Sequence, residues 1–438
     1  MLMIIGLYYG IQKISGTCIL RGNTRPGLSV AHVRTACRYP RPYRSEQLLI
    51  KLKSTQRWGL LMFKLILVCL LAITNLTALA DDTGPATADS EQTAIQKLID
   101  RLGLRESETA ARDLPGWTTP KKVVVRPVNA DWIPGLKSVA PGVELVFIQS
   151  REEARKEAVD AQAVIGMCDE KMLSTSSELF WVQVFSSGVE RCIGNPSFQN
   201  RSRLLTNGQR IGSPGLAEHA IAMMMMLARG LDVYHTNQLS GVWKRQTQLA
   251  RADHIELEGK TLLVVGLGGI GTQVAKRGHG MGMQVIATRN SRREGPDYVE
   301  YVGLSHELNT LAPRADVVIN TVPLTDQTRG MFNARIFDAM KPQAFYINVG
   351  RGGTTVTDHL VTALKSGSIG GAGLDVTDPE PLPEGHPLWT MPRVIISPHR
   401  AGASDKGRER LYVMVKENLR RYVNGEPMLS VVDIERGY

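Results

Sequence analysis

The chain has 438 residues, 43% hydrophobic and 21% charged, with a formal net charge of +10 at pH 7. That length suits two or three domains, and the composition excludes collagen-like, disulfide-stapled and intrinsically disordered classes. A charge of +10 ordinarily points to nucleic acid or an anionic membrane, but residues 1–80 hold 11 basic side chains and one acid, Glu46, whereas the other 358 hold 41 of each sign. The excess is therefore confined to an N-terminal extension, and no nucleic-acid partner is expected.

Residues 1–61 show no sustained helical or strand period, and their Arg/Pro-rich centre, RYPRPYR, offers no core. They read as a disordered or non-native extension upstream of a true start at Met62. From there Lys64, an apolar run from Leu65 to Leu76 and the small-residue site Ala78-Leu79-Ala80 form the three regions of a signal peptide over 62–80. The run is too short for a membrane span, which needs about 20 apolar residues. The expected location is therefore exported, periplasmic or extracellular, if the signal is used, and cytoplasmic otherwise; no membrane partner is expected after cleavage. Of five cysteines only Cys168 and Cys192 lie beyond the signal. They either pair in an oxidising compartment or stand as two free thiols, and no zinc-type spacing is present, so no metal is expected.

Residues 81–120 read as a polar linker with one amphipathic helix, Thr93 to Leu104, carrying Ile95, Leu98, Ile99 and Leu102 at helical spacing. Short β-rich runs then alternate with helical stretches: VVVRPV (123–128), ELVFIQ (144–149), AVIG (163–166) and WVQVFSS (181–187). A long helix is predicted from about Pro214 through the Met223–Met226 run to His235, with the methionines as core filler. Six further strands follow from Thr261, and Lys406 to Val423 reads as a last amphipathic helix. Alternation of this kind gives an α/β protein of two Rossmann-like lobes, each a doubly wound parallel sheet, with a cofactor cleft between them.

Gly266, Gly268, Gly269, Ile270 and Gly271 form a GxGxxG turn between a strand and a helix, the setting in which glycines let a pyrophosphate reach free helix N–H groups. About twenty residues on, the second strand ends at Arg289-Asn290-Ser291-Arg292-Arg293, with no acid to hold a ribose 2′-hydroxyl. Three guanidiniums there suit a 2′-phosphate, so NADP(H) is favoured and NAD(H) remains possible.

The ordered segments LAEHAIAMMMMLARG, NTVPLTDQT (320–328), INVGRGG (347–353), GAGLDVTDPEPLP (371–383) and ISPHRAG (396–402) resemble those of the D-isomer-specific 2-hydroxyacid dehydrogenases over residues 123–430. The resemblance implies a substrate lobe of 121–218 plus 403–438, a dinucleotide-binding lobe of 219–402, and a homodimer. It implies that Arg351 binds and polarises a 2-keto acid, that His399 is the proton donor and that Glu380 steadies its imidazole; these residue types fit the chemistry, because a guanidinium forks onto carboxylate and carbonyl and an imidazole delivers a proton near neutrality. Ser187 and Gly188 are implied as backbone contacts to the substrate carboxylate. Thr321, Val322, Pro323, Val349, Gly350, Asp375, His399 and Gly402 are implied as cofactor contacts.

The leading reading is an oxidoreductase moving a hydride between NADP(H) or NAD(H) and a small 2-keto/2-hydroxy acid of the glyoxylate or hydroxypyruvate kind. Glu380 stands where formate-oxidising relatives carry glutamine, which disfavours that branch. The alternative is a nicotinamide-sensing binding protein of the same fold, since fold alone does not separate the two.

Overall fold

The computed structural model describes residues 88–199, 203–244 and 254–437; the extension at 1–61 and the signal at 62–80 lie outside them. The chain enters through a helix, Ala88–Leu102, followed by strand β1 (Glu106–Ala110). Five parallel strands then build the smaller sheet: β2 (Lys122–Val125), β3 (Glu144–Phe147), β4 (Ala163–Ile165), β5 (Trp181–Gln183) and β6 (Leu204–Thr206), in the order β3-β2-β4-β5-β6. Seven more form the larger sheet: β7 (Thr261–Val265), β8 (Gln284–Arg289), β9 (Tyr301–Leu304), β10 (Val317–Asn320), β11 (Phe345–Asn348), β12 (Gly371–Leu374) and β13 (Val394–Ile396). Their order is β13-β12-β11-β10-β7-β8-β9, all parallel, so the chain reverses its winding between β7 and β10. Ligands of such sheets sit beyond the carboxyl ends of the strands at that reversal. Two strands of these sheets go beyond the predicted set, β6 and β9, of three and four residues, too short to show a period of their own.

The sheet strands are apolar on both faces because helices cover both, as parallel sheets require. The helix Ser213–Ala228 lays Ala217, Ala220, Met223, Met224 and Leu227 onto the larger sheet's core. The expected lobe boundary at 218/219 therefore falls inside this helix, which packs as a unit on the dinucleotide side. The predicted long helix also breaks at Gly230, which takes the left-handed φ of +62° that lets a second helix, Leu231–Leu239, start in a new direction.

Residues 81–120 are not a linker where they are described. Ile95, Leu98, Leu102 and Leu104 are buried in one core with Met414, Val415, Leu419 and Tyr422 of the C-terminal helix Gly407–Val423. β1 pairs antiparallel with the last strand, β14 (Pro427–Leu429). The polar look of 105–113 comes from β1, an edge strand none of whose residues is buried. The C-terminal helix is fixed in turn by buried polar bonds: Asn418 donates to Gln183 Oε1 at 2.9 Å and to the Leu429 carbonyl at 3.0 Å, and the Tyr422 hydroxyl donates to the Gln162 carbonyl at 3.1 Å. Cys168, after β4, and Cys192, in the short helix Glu190–Ile193 after β5, form a disulfide, which decides between the two thiol states the sequence left open.

Leu102→Ala removes a buried side chain from this shared core and is expected to cost about 2–5 kcal/mol, lowering the thermal midpoint by several degrees in a calorimetric scan. An unchanged midpoint would mean that the N-terminal helix packs on nothing.

Candidate active site

The glycine turn has the geometry of a dinucleotide cradle. Gly266 has φ +94°, and its N–H and that of Leu267 donate to the Thr288 carbonyl at the end of β8, at 3.2 and 2.8 Å. A Cβ on Gly271 would run into the Gly266 carbonyl oxygen, so the helix Gly269–Gly280 lies directly on the strand end. A Cβ on Gly268 would meet nothing within 4 Å, which leaves space in front of the first, unpaired amides of that helix. Thr321 closes the other side, its hydroxyl donating to the Gly266 carbonyl at 2.7 Å, with Val322 and Pro323 following it. These residues fit a dinucleotide: Gly266 to Gly271 would hold the pyrophosphate, and Thr321 to Pro323 with Val349 and Gly350 would flank it.

Arg289 stands at the end of β8 beside this turn, with Asn290 and Ser291 exposed after it. Burial and the nearby Arg292 and Arg105 press its pKa below the usual guanidinium range, and its Nε is buried with no partner. The third guanidinium of the predicted set is not part of this group. Arg293 turns to Glu307 at 2.7 Å and to the Tyr301 hydroxyl at 3.1 Å, because β9, unseen in the sequence, brings those partners alongside.

The turn after β11 is held by two buried asparagines. Asn348 accepts from the Gly350 N–H at 3.0 Å and donates to the Arg351 carbonyl at 3.2 Å, while Asn320 donates to Thr354 Oγ1 at 2.7 Å and to Asn348 Oδ1 at 3.2 Å. Arg351 thus leaves the sheet in a fixed direction. Its Nε donates to Glu190 Oε1 of the other lobe at 3.0 Å, and Nη1 donates to the Gly350 carbonyl at 2.9 Å. Gly188 lies under this pair: a Cβ there would strike Arg351 Nη2 and stand 2.6 Å from Glu190 Oε2. The neighbouring Ser187 is pinned by its hydroxyl to the Gly208 carbonyl at 3.2 Å and through its own carbonyl to Asn207 Nδ2 at 2.8 Å.

His399 Nδ1 and Glu380 Oε1 are 2.6 Å apart. An ionised carboxylate only accepts, so Nδ1 carries the proton toward it and Nε2 is left to the cleft. His399 has φ +53°, a conformation costly for an L residue, and it is imposed by Asp375. That carboxylate is buried and accepts from Ser397 Oγ at 2.6 Å and from the Arg400 and Ala401 N–H groups at 2.9 Å each, while the Asp375 carbonyl accepts the His399 N–H at 2.8 Å. Asp375, expected as a cofactor contact, therefore spends its side chain on the 397–401 turn. Gly402 ends that turn against Gly212 of the opposite lobe.

A model of the D-isomer specific 2-hydroxyacid dehydrogenase NAD binding domain matches residues 221–401. The glyoxylate/hydroxypyruvate reductase A of Photorhabdus laumondii is 30% identical over 319 residues, covering 70% of this chain and 96% of the relative. The chain belongs to the D-isomer-specific 2-hydroxyacid dehydrogenase family. Among solved members of this family, a protein from Aeromonas salmonicida superposes with a TM-score of 0.63 at 28% identity over 72% of this chain and 99% of its own. An NADPH-dependent glyoxylate/hydroxypyruvate reductase of Sinorhizobium meliloti, solved with NADP and sulfate, gives 0.60 at 26% identity over 73% and 100%. With its relatives the chain is an NAD(P)-dependent dehydrogenase/reductase acting on small 2-keto or 2-hydroxy acids.

Three positions at the site went unread in the sequence. Asn320 and Asn348 each end an apolar strand, VVIN and FYIN, and a polar residue closing a doubly buried strand is the signal that would have found them. Glu190 carries no local signal, since only the approach of the two lobes brings it to Arg351. Gly188→Ala is expected to leave the melting curve nearly unchanged, because Gly188 is not in a left-handed conformation, while pushing the Arg351 guanidinium off its place. Keto-acid reduction should fall by about 10²-fold in kcat/KM, and a wild-type value would show that the two groups do not work in contact.

Proposed function

We propose that the protein reduces a small 2-keto acid of the glyoxylate or hydroxypyruvate kind with NADPH, and oxidises the corresponding 2-hydroxy acid in reverse. The observation that carries this reading is that Arg351, on a fixed turn, and the hydrogen-bonded His399–Glu380 pair follow the carboxyl ends of three successive parallel strands, β11, β12 and β13. Relatives that are glyoxylate or glyoxylate/hydroxypyruvate reductases support the substrate class, and Arg289 with no acid at the end of β8 supports the choice of NADPH.

The nicotinamide, when bound, supplies the hydride. Arg351 binds the substrate carboxylate and polarises the neighbouring carbonyl through its forked N–H donors. The backbone of Ser187 and Gly188 meets the same carboxylate from the substrate lobe, so the carbonyl is held in one orientation. His399 gives its Nε2 proton to the developing alkoxide and recovers it in the reverse direction. Glu380 keeps Nδ1 protonated and offsets the charge of the imidazolium state.

Arg351→Ala and His399→Ala are each expected to lower kcat/KM with glyoxylate or hydroxypyruvate by about 10²–10⁴-fold, with NADPH affinity by fluorescence titration retained. Wild-type rates in either variant would refute the assignment. Saturable NADPH binding without turnover of any 2-keto acid in a panel would favour a sensing role.

We further propose that the signal at 62–80 exports the protein, which the Cys168–Cys192 bridge supports, since such bridges persist in oxidising compartments. We propose a homodimer formed through the dinucleotide lobe. The helix Leu231–Leu239 buries none of its side chains, and Leu239 and Trp243 at its end are 76% and 93% exposed, an apolar end suited to a symmetric contact. Trp243→Glu is expected to halve the mass measured by light scattering, and a monomeric wild type would end the proposal.

A further inference from the structure

Arg210 lies in the crossing loop between β6 and the helix Ser213–Ala228, with φ +68°, a backbone conformation that glycine takes freely and arginine does not. Its side chain passes over the start of the glycine-turn helix, where a Cβ on Gly269 would stand 2.7 Å from Arg210 Cγ. The guanidinium Nη1 then donates to the carbonyl of Leu102, at the end of the N-terminal helix, at 3.2 Å. Burial brings its pKa down to about 10, and the charged groups acting on it are all cations: Arg105, Arg289 and Arg292. Arg289 feels the same neighbours, Arg292 and Arg105, with Glu294 a smaller opposing influence. Glu294 stands 3.8 Å from Arg292, both in solvent.

Arg210, reaching over the start of the glycine-turn helix, and Arg289, beside the same turn with an unpartnered Nε, are thus two partly buried guanidiniums from separate stretches of chain, one in a left-handed backbone, and Arg105 and Arg292 add their charge to both. Such an arrangement opposes folding, and strain and unpaired buried charge of this kind concentrate where a ligand completes them. The complement is an anion with several acceptor oxygens, because each arginine presents a fork of donors and one carboxylate cannot serve four. The cofactor's pyrophosphate already has the glycine turn and the helix amides. A phosphomonoester, close to doubly charged at neutral pH and with three acceptor oxygens, remains.

We propose that Arg105 and Arg210 of the substrate lobe close an anion site with Arg289 and Arg292 of the dinucleotide lobe, and that its ligand is the 2′-phosphate of NADP(H). This rests on the NADPH reading above and adds that the phosphate is gripped from both lobes, so that cofactor binding ties them together. Selectivity for the phosphorylated cofactor then depends on the N-terminal segment and the crossing loop as well as on the end of β8.

The test is titration of the full-length protein with NADPH and with NADH, following protein fluorescence at fixed ionic strength, for wild type, Arg210→Gly, Arg105→Ala and Arg289→Ala. Arg210→Gly relieves the left-handed backbone, so its ligand-free melting temperature should be no lower than wild type, which separates lost binding from lost fold. Both Arg210→Gly and Arg105→Ala are expected to weaken NADPH by about tenfold or more and to leave NADH unchanged, with 2′,5′-ADP displacing NADPH from wild type better than 5′-ADP does. Unchanged NADPH affinity in both, with a loss in Arg289→Ala, overturns the two-lobe site and leaves the NADPH reading standing. Equal losses for NADPH and NADH assign Arg210 to the pyrophosphate or to structure and also overturn it. A wild type that does not distinguish NADPH from NADH overturns both.

Discussion

Loops that leave the carboxyl end of a buried parallel sheet must satisfy their backbone polar groups without water, and here three adjacent strands meet that demand with a buried polar side chain each. Asn320 closes β10, Asn348 closes β11 and Asp375 follows β12. The first two clamp the turn that carries Arg351, and the third clamps the turn that carries His399. Each makes at least two internal hydrogen bonds, and removing one partner of a buried bond costs about 1–3 kcal/mol. Arg351 and His399 therefore leave the sheet on turns that buried side-chain hydrogen bonds hold in place.

The Arg351–Glu190 and His399–Glu380 pairs are partly exposed, and ion pairs in contact with solvent add little to stability. Their value lies in orientation. Glu190 holds the Nε edge of Arg351 from the opposite lobe, and the helix that bears it is tied by Cys192 to the loop after β4. Within each lobe further bonds tie the helices to the loops, with Arg410 of the C-terminal helix donating to the Ile211 carbonyl at 2.9 Å and His219 Nε2 2.8 Å from Ser397 Oγ. Stability comes from elsewhere: the aromatic core of Trp181, Phe180 and Tyr422 joins the small sheet to the C-terminal helix, with Trp181 and Tyr422 ring centroids 4.8 Å apart.

Much of the site was legible because parallel sheets write themselves as apolar runs followed by short polar turns. The glycine turn, Arg289, Arg351, Asp375 and His399 follow such runs closely, while the roles expected of Arg351, Glu380 and His399 came from the resemblance of their motifs to the family. β6 and β9 were missed because three or four residues carry no period, and with β9 went the partners that draw Arg293 away from the cofactor side. The stretch 88–113 reads as a linker along the chain because the strand that pairs with β1 and the helix that packs on its own helix lie more than 300 residues away. Arg105 and Arg210 had no reason to be linked to Arg289 until that stretch was packed.

The sequence by itself determined the two doubly wound lobes and the dinucleotide turn, because each depends on neighbours within a few residues along the chain, and its ordered motifs carried the resemblance to the family. Tertiary structure alone decided that Glu190 and Gly188 meet Arg351, that Cys168 and Cys192 pair, that Asp375 serves the His399 turn, and that Arg210 lies over the start of the glycine-turn helix and bonds the end of the N-terminal helix. Those outcomes depend on which strand ends the fold sets side by side, and nothing in local spacing encodes a contact between residues that only the closure of two sheets brings together.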